Sequence, residues 1–206
     1  LNLGLHTGDD PAHVEENRAR LLALAGVRAA WLEQVHGDAI VRAEDALRDG
    51  PPVRADASVT AQPGVACVVM VADCLPVLLC DGEGRAVGAA HAGWRGLVAG
   101  IVEKTAQRVA DLAQDEASAL HAYLGPAIGP QAFEVGDDVR DAFLSAAAAT
   151  ERDATARAFV APTSQFRPCQ PAASSANRGL QRTEKSLVHH LCIIYLSIAF
   201  DHGGYR

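Results

Sequence analysis

The sequence predicts an α+β fold, with mixed β-sheets flanked by helices, and three stretches carry that prediction. Residues 65–72 form a nearly continuous apolar run rich in β-branched side chains, the pattern of a buried strand. Residues 77–80 and 86–90 flank Asp81-Gly82-Glu83-Gly84, a strong turn signal, and so predict a hairpin. Leu97, Ile101, Thr105, Val109 and Leu112 then fall on one face of a helix running from residue 97 to about 112.

The other elements follow in chain order. Asp10 is suited to cap a helix and Pro11 to its first turn; Val14, Leu21, Leu22 and Leu24 give it an apolar face, and Gly26 closes it. Residues 29–35 read as a strand, His36-Gly37 as a turn, Ile40-Val41 as the next apolar pair and residues 48–52 as a loop. Tyr123-Leu124 ends a further strand and feeds a loop stiffened by Pro126 and Pro130, before a helix over residues 136–148. Beyond residue 159 the composition shifts to Pro, Ser, Gln and Arg, then to an unpatterned apolar stretch.

Composition narrows the function classes. The chain has 206 residues, 49% hydrophobic and 21% charged, which suits one domain with a sizeable core. A net charge of −7 and a pI near 5.6 argue against broad nucleic-acid binding, which needs a basic surface. Five cysteines, odd in number and irregular in spacing, point to a reducing cytoplasm rather than a disulfide scaffold. The apolar run over 187–200 holds His189, His190 and Ser197, too short and too polar to span a membrane. The chain opens at Leu1 without a methionine, so a truncated start is expected.

Three candidate metal ligands, His36, Cys74 and His91, each stand in a short loop beside a predicted strand. Zinc takes imidazole nitrogen and thiolate sulfur readily, and a catalytic zinc keeps three protein ligands and one open position. Pairing across the 81–84 turn brings Cys74 and His91 out at the same end of the hairpin. Spacing alone leaves each of the three open to a structural reading, as a packed thiol or a surface histidine.

Four words occur in order: Gln34-Val35-His36-Gly37, Ala72-Asp73-Cys74-Leu75-Pro76-Val77, His91-Ala92-Gly93-Trp94-Arg95-Gly96 and Leu124-Gly125-Pro126-Ala127-Ile128-Gly129-Pro130. With Asn2-Leu3-Gly4-Leu5-His6, Gly8-Asp9-Asp10-Pro11 and Phe133-Glu134-Val135-Gly136, they closely resemble the YfiH family, over about residues 1–145. That family was once called multicopper polyphenol oxidases and is now regarded as purine nucleoside phosphorylases. The resemblance implies a His-Cys-His zinc site at His36, Cys74 and His91. It implies phosphorolysis of adenosine, inosine and methylthioadenosine, with adenosine deamination as a further activity. The implied fold is two mixed sheets flanked by helices, in α/β/β/α layers, of a kind shared with certain cysteine-dependent toxin deamidases. Residues 1–160 are then the catalytic domain, and residues 161–206, which bear little likeness to the family, are expected to be a divergent and frameshifted tail.

Around the three ligands, several residues carry alternatives. Arg95, just ahead of the predicted helix, binds phosphate together with the turn at 93–96, or merely caps a loop. Asp73 orients a ligand histidine or caps the following turn. Trp94 stacks on a purine or closes the core. Cys67 and Cys80 are expected to be packing residues, and His6 and His13 surface residues. A laccase would need roughly ten His and Cys ligands; this chain has eight histidines and no His-x-His pair, so copper is expected only as an adventitious metal. A metal-independent cysteine hydrolase, with Cys74 as nucleophile and His91 or His36 as base, keeps the residues without the ion. A non-catalytic metal-binding protein is the third reading. Nothing in the sequence argues for a dimer.

Overall fold

The computed structural model describes residues 2–114, 119–149 and 192–197. The chain forms two compact units, one of Leu1–Ile128 with His189–Arg206 and one of Gly129–Val188. In the first unit helix α1 (Pro11–Ala25) starts as the sequence dictates: the Asp10 carboxylate accepts the Ala12 N–H at 2.9 Å, and Gly26 ends it at φ 67°. Its buried face differs from the apolar pattern. Val14 and Arg18 are inside, whereas Leu24 is 89% exposed. Arg18 is satisfied there because its Nε donates to the Leu3 carbonyl at 2.9 Å and its guanidinium lies 4.0 Å from the centre of a Trp31 ring.

The expected strand over 29–35 is divided between two sheets. It becomes β1 (Arg28–Ala30) and β2 (Leu32–Glu33), followed by β3 (Ile40–Arg42) and a 3-10 turn at Ala43–Leu47. Next come β4 (Val53–Arg54), β5 (Ala57–Thr60), β6 (Val65–Val71), β7 (Leu75–Asp81) and β8 (Val87–Ala92). Helices α2 (Trp94–Val98) and α3 (Ile101–Ala113) precede β9 (Leu120–Leu124), and β10 (Cys192–Ser197) completes the described part of this unit. The second unit contributes α4 (Asp137–Ala149), on which the Arg140 guanidinium pairs with Asp137 at 2.7 Å and Asp141 at 2.9 Å. The expectation for the tail lies outside the described residues, apart from β10.

Among the described residues, β1, β6 and β10 form a parallel sheet in that order, and β2 pairs with β4. The larger sheet runs β3-β5-β8-β7-β9, with one parallel pair, β3 with β5, and antiparallel pairs elsewhere. The predicted hairpin is present: Val77 faces Ala90 and Cys80 faces Val87. Its turn is held by the buried Asp81, whose carboxylate accepts the N–H groups of Glu83, Arg85 and Ala86 and the Arg85 Nε.

Alternation along the strands makes the layers. Val65, Cys67 and Val69 of β6 pack with Val87 and Ala89 of β8, Leu78 and Cys80 between the two sheets. Ala66 and Val68 point the other way and pack with Ala29, Trp31 and, from α1, Leu22. On the far side of the larger sheet, Val77, Leu79, Ala90 and Ala92 pack against Ile101, Val109 and Ala113 of α3. The first unit is therefore layered helix, sheet, sheet, helix, and strands covered on both faces read as unbroken apolar runs. Gly88 sets how closely α3 approaches: a Cβ there would stand 2.8 Å from Val109 Cγ2 and 3.1 Å from Val59 Cγ1. The helix expected over 97–112 is instead two helices, because Gly100 turns left-handed at φ 81° between them. Among the described residues no helix is long and apolar enough to cross a membrane.

Candidate metal centre

His36, Cys74 and His91 come from three separate places and meet. His36 stands in the loop between β2 and β3 at φ 60°, a left-handed conformation that is uncommon outside glycine, though histidine, like asparagine and aspartate, enters it more often than most residues. The loop is pinned on two sides. The Gln34 side-chain amide donates to the Met70 carbonyl and accepts the Met70 N–H, both at 2.8 Å, so it occupies a peptide's place beside β6. Beyond it, three successive N–H groups, of Val35, His36 and Gly37, converge on the Asp56 carboxylate at 3.1, 2.8 and 2.8 Å.

Cys74 precedes β7 directly, in the short link from β6. Two bonds from the 125–128 loop fasten that link: Ile128 N–H to the Asp73 carbonyl at 2.9 Å and Gly125 N–H to the Pro76 carbonyl at 3.0 Å. His91 is not in a loop, as the sequence suggests, but within β8, opposite Pro76, where it shares a side of the strand with Val87 and Ala89. It is buried, its N–H donates to the Asp56 carbonyl at 2.7 Å, and its Nδ1 lies 2.8 Å from Asp56 Oδ1.

One ring nitrogen of each histidine and the Cys74 sulfur all lie within 4.8 Å of one another. The His36 and His91 rings meet edge to face, with centres 4.7 Å apart at 79°. Bond lengths of about 2.0–2.3 Å put two ligands of a tetrahedral zinc roughly 3.3–3.8 Å apart, so separations would have to close by at most about 1–1.5 Å to gather the set on one ion. The donor chemistry fits as well: two imidazoles and a thiol suit zinc or copper and leave a position open. Among the described residues this is the one such cluster.

Electrostatics divide the two histidines. Loss of water around part of its ring, then the neighbouring His91 and Arg95, lower the His36 pKa against the pull of Asp56, which keeps a lone pair free for ligation. Burial also opposes charge on His91, but contacts with Asp56 and Cys74 outweigh it and raise its pKa to about 9.

The remaining expectations divide in the same way. Asp73 is exposed and its carbonyl fastens the Cys74 link; the carboxylate that meets His91 belongs to Asp56, which sequence reasoning missed. Arg95 lies within α2 rather than ahead of a long helix, and the five residues of α2 carry little dipole for an anion. Its guanidinium is exposed and lies 4.3 Å from the centre of a Trp94 ring; Trp94 itself is half-buried. Cys67 is buried in β6 and burial pushes its thiol up to about 12, Cys80 is half-buried in β7, and His6 and His13 are exposed. Gly93 is also part of the site, since a Cβ there would stand 3.0 Å from His36 Cδ2 and 3.2 Å from Cys74 Sγ.

Known proteins share this arrangement of sequence. The family described as multi-copper polyphenol oxidoreductase laccase matches residues 1–167. A purine nucleoside phosphorylase of Pseudomonas aeruginosa is 55% identical over 146 residues, covering 71% of this chain and 57% of the relative. The purine nucleoside phosphorylase YfiH of Escherichia coli is 52% identical over 150 residues, covering 70% of this chain and 58% of the relative. This chain thus spans less than two thirds of the length of either. Among solved structures, a Neisseria meningitidis protein superposes with a TM-score of 0.66 at 46% identity, over 75% of this chain and 60% of that one. YlmD from Geobacillus stearothermophilus does so at 0.60 and 32% identity, over 70% of this chain and 57% of that one. With its mixed sheets between helices and a match covering most of its length, the chain belongs to the YfiH family, the one described as multi-copper polyphenol oxidoreductase laccase.

Proposed function

We propose that this chain carries the metal-bearing catalytic unit, residues 1–160, of a cytoplasmic purine nucleoside phosphorylase that holds one zinc ion between His36, Cys74 and His91. The observation behind this reading is the convergence of the three donors from separate elements to within 4.8 Å, in a chain whose relatives are named purine nucleoside phosphorylases. The substrates assigned are adenosine, inosine and methylthioadenosine with inorganic phosphate, and deamination of adenosine is the further activity. Zinc bound there would supply Lewis acidity toward a substrate oxygen or a water molecule.

The protein's own groups have distinct tasks. Cys74 supplies a thiolate and the histidines neutral nitrogens, so loading the site releases protons. His36 is exposed in its loop while His91 is buried, so a substrate would approach the set from the His36 side. Arg95 presents its charge beside His36 and is assigned to phosphate; Arg95→Ala is expected to raise the KM for phosphate, and an unchanged KM removes that role.

The test is metal content by plasma mass spectrometry, for the protein beside Cys74→Ala, followed by phosphate-dependent release of hypoxanthine from inosine. About one zinc per chain, lost in the variant, with base release that needs phosphate, is the expected result. Protein that is folded, metal-free and inert toward nucleosides defeats the reading.

One observation favours a second reading. Cys74 touches His91, whose other ring nitrogen rests on a buried carboxylate, the order of nucleophile, base and orienting acid in a cysteine hydrolase. Activity that survives metal removal and is then abolished by iodoacetamide would establish it in place of the zinc enzyme.

A further inference from the structure

Asp56 is wholly buried just ahead of β5, and the zinc reading above gives it no role. Both of its carboxylate oxygens are engaged. Oδ1 accepts the His36 N–H at 2.8 Å and lies 2.8 Å from His91 Nδ1, while Oδ2 accepts the N–H groups of Val35 at 3.1 Å and Gly37 at 2.8 Å. Its main chain is bound to the same segments: the carbonyl accepts the His91 N–H at 2.7 Å, and the N–H donates to the Ala39 carbonyl at 3.1 Å. One residue is thus tied by side chain and backbone to the two strands of chain that carry the histidines.

We propose that Asp56 is the positioning residue of the metal site, holding His91 with its proton on Nδ1 and its Nε2 toward the ion, and holding His36 in its left-handed backbone with the same carboxylate. The chemistry of the acceptor makes the argument. An imidazole can ligate only through a nitrogen without a proton, and a carboxylate accepts but never donates, so the proton of a neutral His91 belongs on Nδ1. Three successive N–H groups aimed at one point need an anion, and they keep His36 in a conformation it would otherwise leave. An asparagine cannot do both. Its single carbonyl oxygen cannot serve all four donors, and its NH2 would drive the His91 proton to Nε2, where it blocks ligation. The proposal rests on the zinc reading for the ion, but its statement about the His91 tautomer does not.

Two measurements on the full chain test it. The first is long-range proton–nitrogen NMR on metal-free protein at high pH, with the His91 ring neutral. The ring proton is expected on Nδ1, and a proton on Nε2 overturns the proposal. The second is zinc affinity, by competition with a chromophoric chelator, for the unaltered protein, Asp56→Asn and Asp81→Asn. Asp81 is an equally buried carboxylate with several backbone donors, at the far end of the hairpin, so it controls for a merely structural loss. Asp56→Asn is expected to bind zinc about 10–100-fold more weakly, with Asp81→Asn within about twofold of the unaltered protein. Equal affinity in Asp56→Asn, or an equal loss in both, overturns the proposal. Should Asp56→Asn fail to fold, or should the unaltered protein take up no zinc, the NMR result alone decides. In the latter case the zinc reading falls while the role of Asp56 is still judged.

Discussion

Replacing Gly93 by alanine perturbs the site without touching a ligand. The added Cβ would stand 3.0 Å from His36 Cδ2 and 3.2 Å from Cys74 Sγ. Carbon atoms rest comfortably at about 3.5–4.0 Å, so each neighbour must retreat by several tenths of an ångström. Metal–ligand distances hold to within about 0.2 Å once an ion is bound, so a Cβ wedged against two of the three donors would oppose the closing movement that binding needs. Zinc affinity is expected to fall about 10–100-fold, which is roughly 1.4–2.8 kcal/mol. The fold itself should lose less. The backbone at Gly93, φ −67° and ψ 163°, suits alanine, which leaves only the overpacking cost of about 1–3 kcal/mol. At this chain length that corresponds to a Tm lowered by about 2–4 °C for each kcal/mol. Chelator competition and a melting curve read the two effects separately. Gly82→Ala is the control, since a Cβ there meets His121 Nε2 at an ordinary 3.8 Å. A folded Gly93→Ala protein that binds zinc as tightly as the unaltered one refutes the reasoning.

Other expectations follow from the same geometry. In native metal-free protein, iodoacetamide should label Cys74 well before Cys67, which is buried with its thiol pushed up to about 12, and zinc should slow the Cys74 reaction; peptide mapping that finds Cys67 first would contradict this. The His91 pKa is raised from 6.5 to about 9, so in metal-free protein its contribution to stability is fully present below pH 6.5 and is lost as pH rises toward 9. A denaturation midpoint that stays flat between those values would count against it. The Asp81 carboxyl is held below its ordinary value of 3.8, because its N–H donors and Arg85 outweigh the effect of burial; that stability is present above pH 3.8 and is lost as pH falls through the folded value. Asp81→Asn should therefore cost about 1–3 kcal/mol at pH 7, and a midpoint difference that does not shrink in acid would refute the assignment.

Local patterning carried the parts of this fold that depend on neighbours in sequence. The cap at Asp10, the stop at Gly26 and the register of the 77–90 hairpin each follow from residues a few positions apart, and the hairpin alone brings Cys74 and His91 to one end. Pairings between distant segments were not legible. The division of 29–35 between two sheets depends on β4 and β6, and the pairing of β10 with β6 depends on a segment with no pattern of its own. The break at Gly100 was hidden because Leu97, Ile101 and Thr105 keep a four-residue spacing through it. Leu24, expected on the buried face, is outside while Arg18 is inside, because a guanidinium with a carbonyl and a Trp31 ring beside it can be buried, which no hydrophobic count anticipates. At the site, the three donors were legible as residue types and family words. Asp56 was not, since one carboxylate between two alanines gives no periodic signal and acquires its meaning only from the chain segments folded around it.

Gly88 and Gly93 bracket His91, and Gly96 follows on α2, where a Cβ would stand 2.8 Å from the Gly37 carbonyl oxygen. At each of the three places another part of the chain occupies the space a side chain would need: α3, the two other donors and the His36 loop in turn. Genetic variation across this stretch is therefore filtered by volume before chemistry. Even alanine, the mildest replacement, must displace something, and every larger residue must displace more. Random mutagenesis followed by selection for zinc retention should leave these three glycines nearly unchanged, while it admits many substitutions at exposed positions of the neighbouring helix such as Lys104 and Arg108. Diversity in this segment of the protein would then lie on its outer side, with an inner side written almost without side chains.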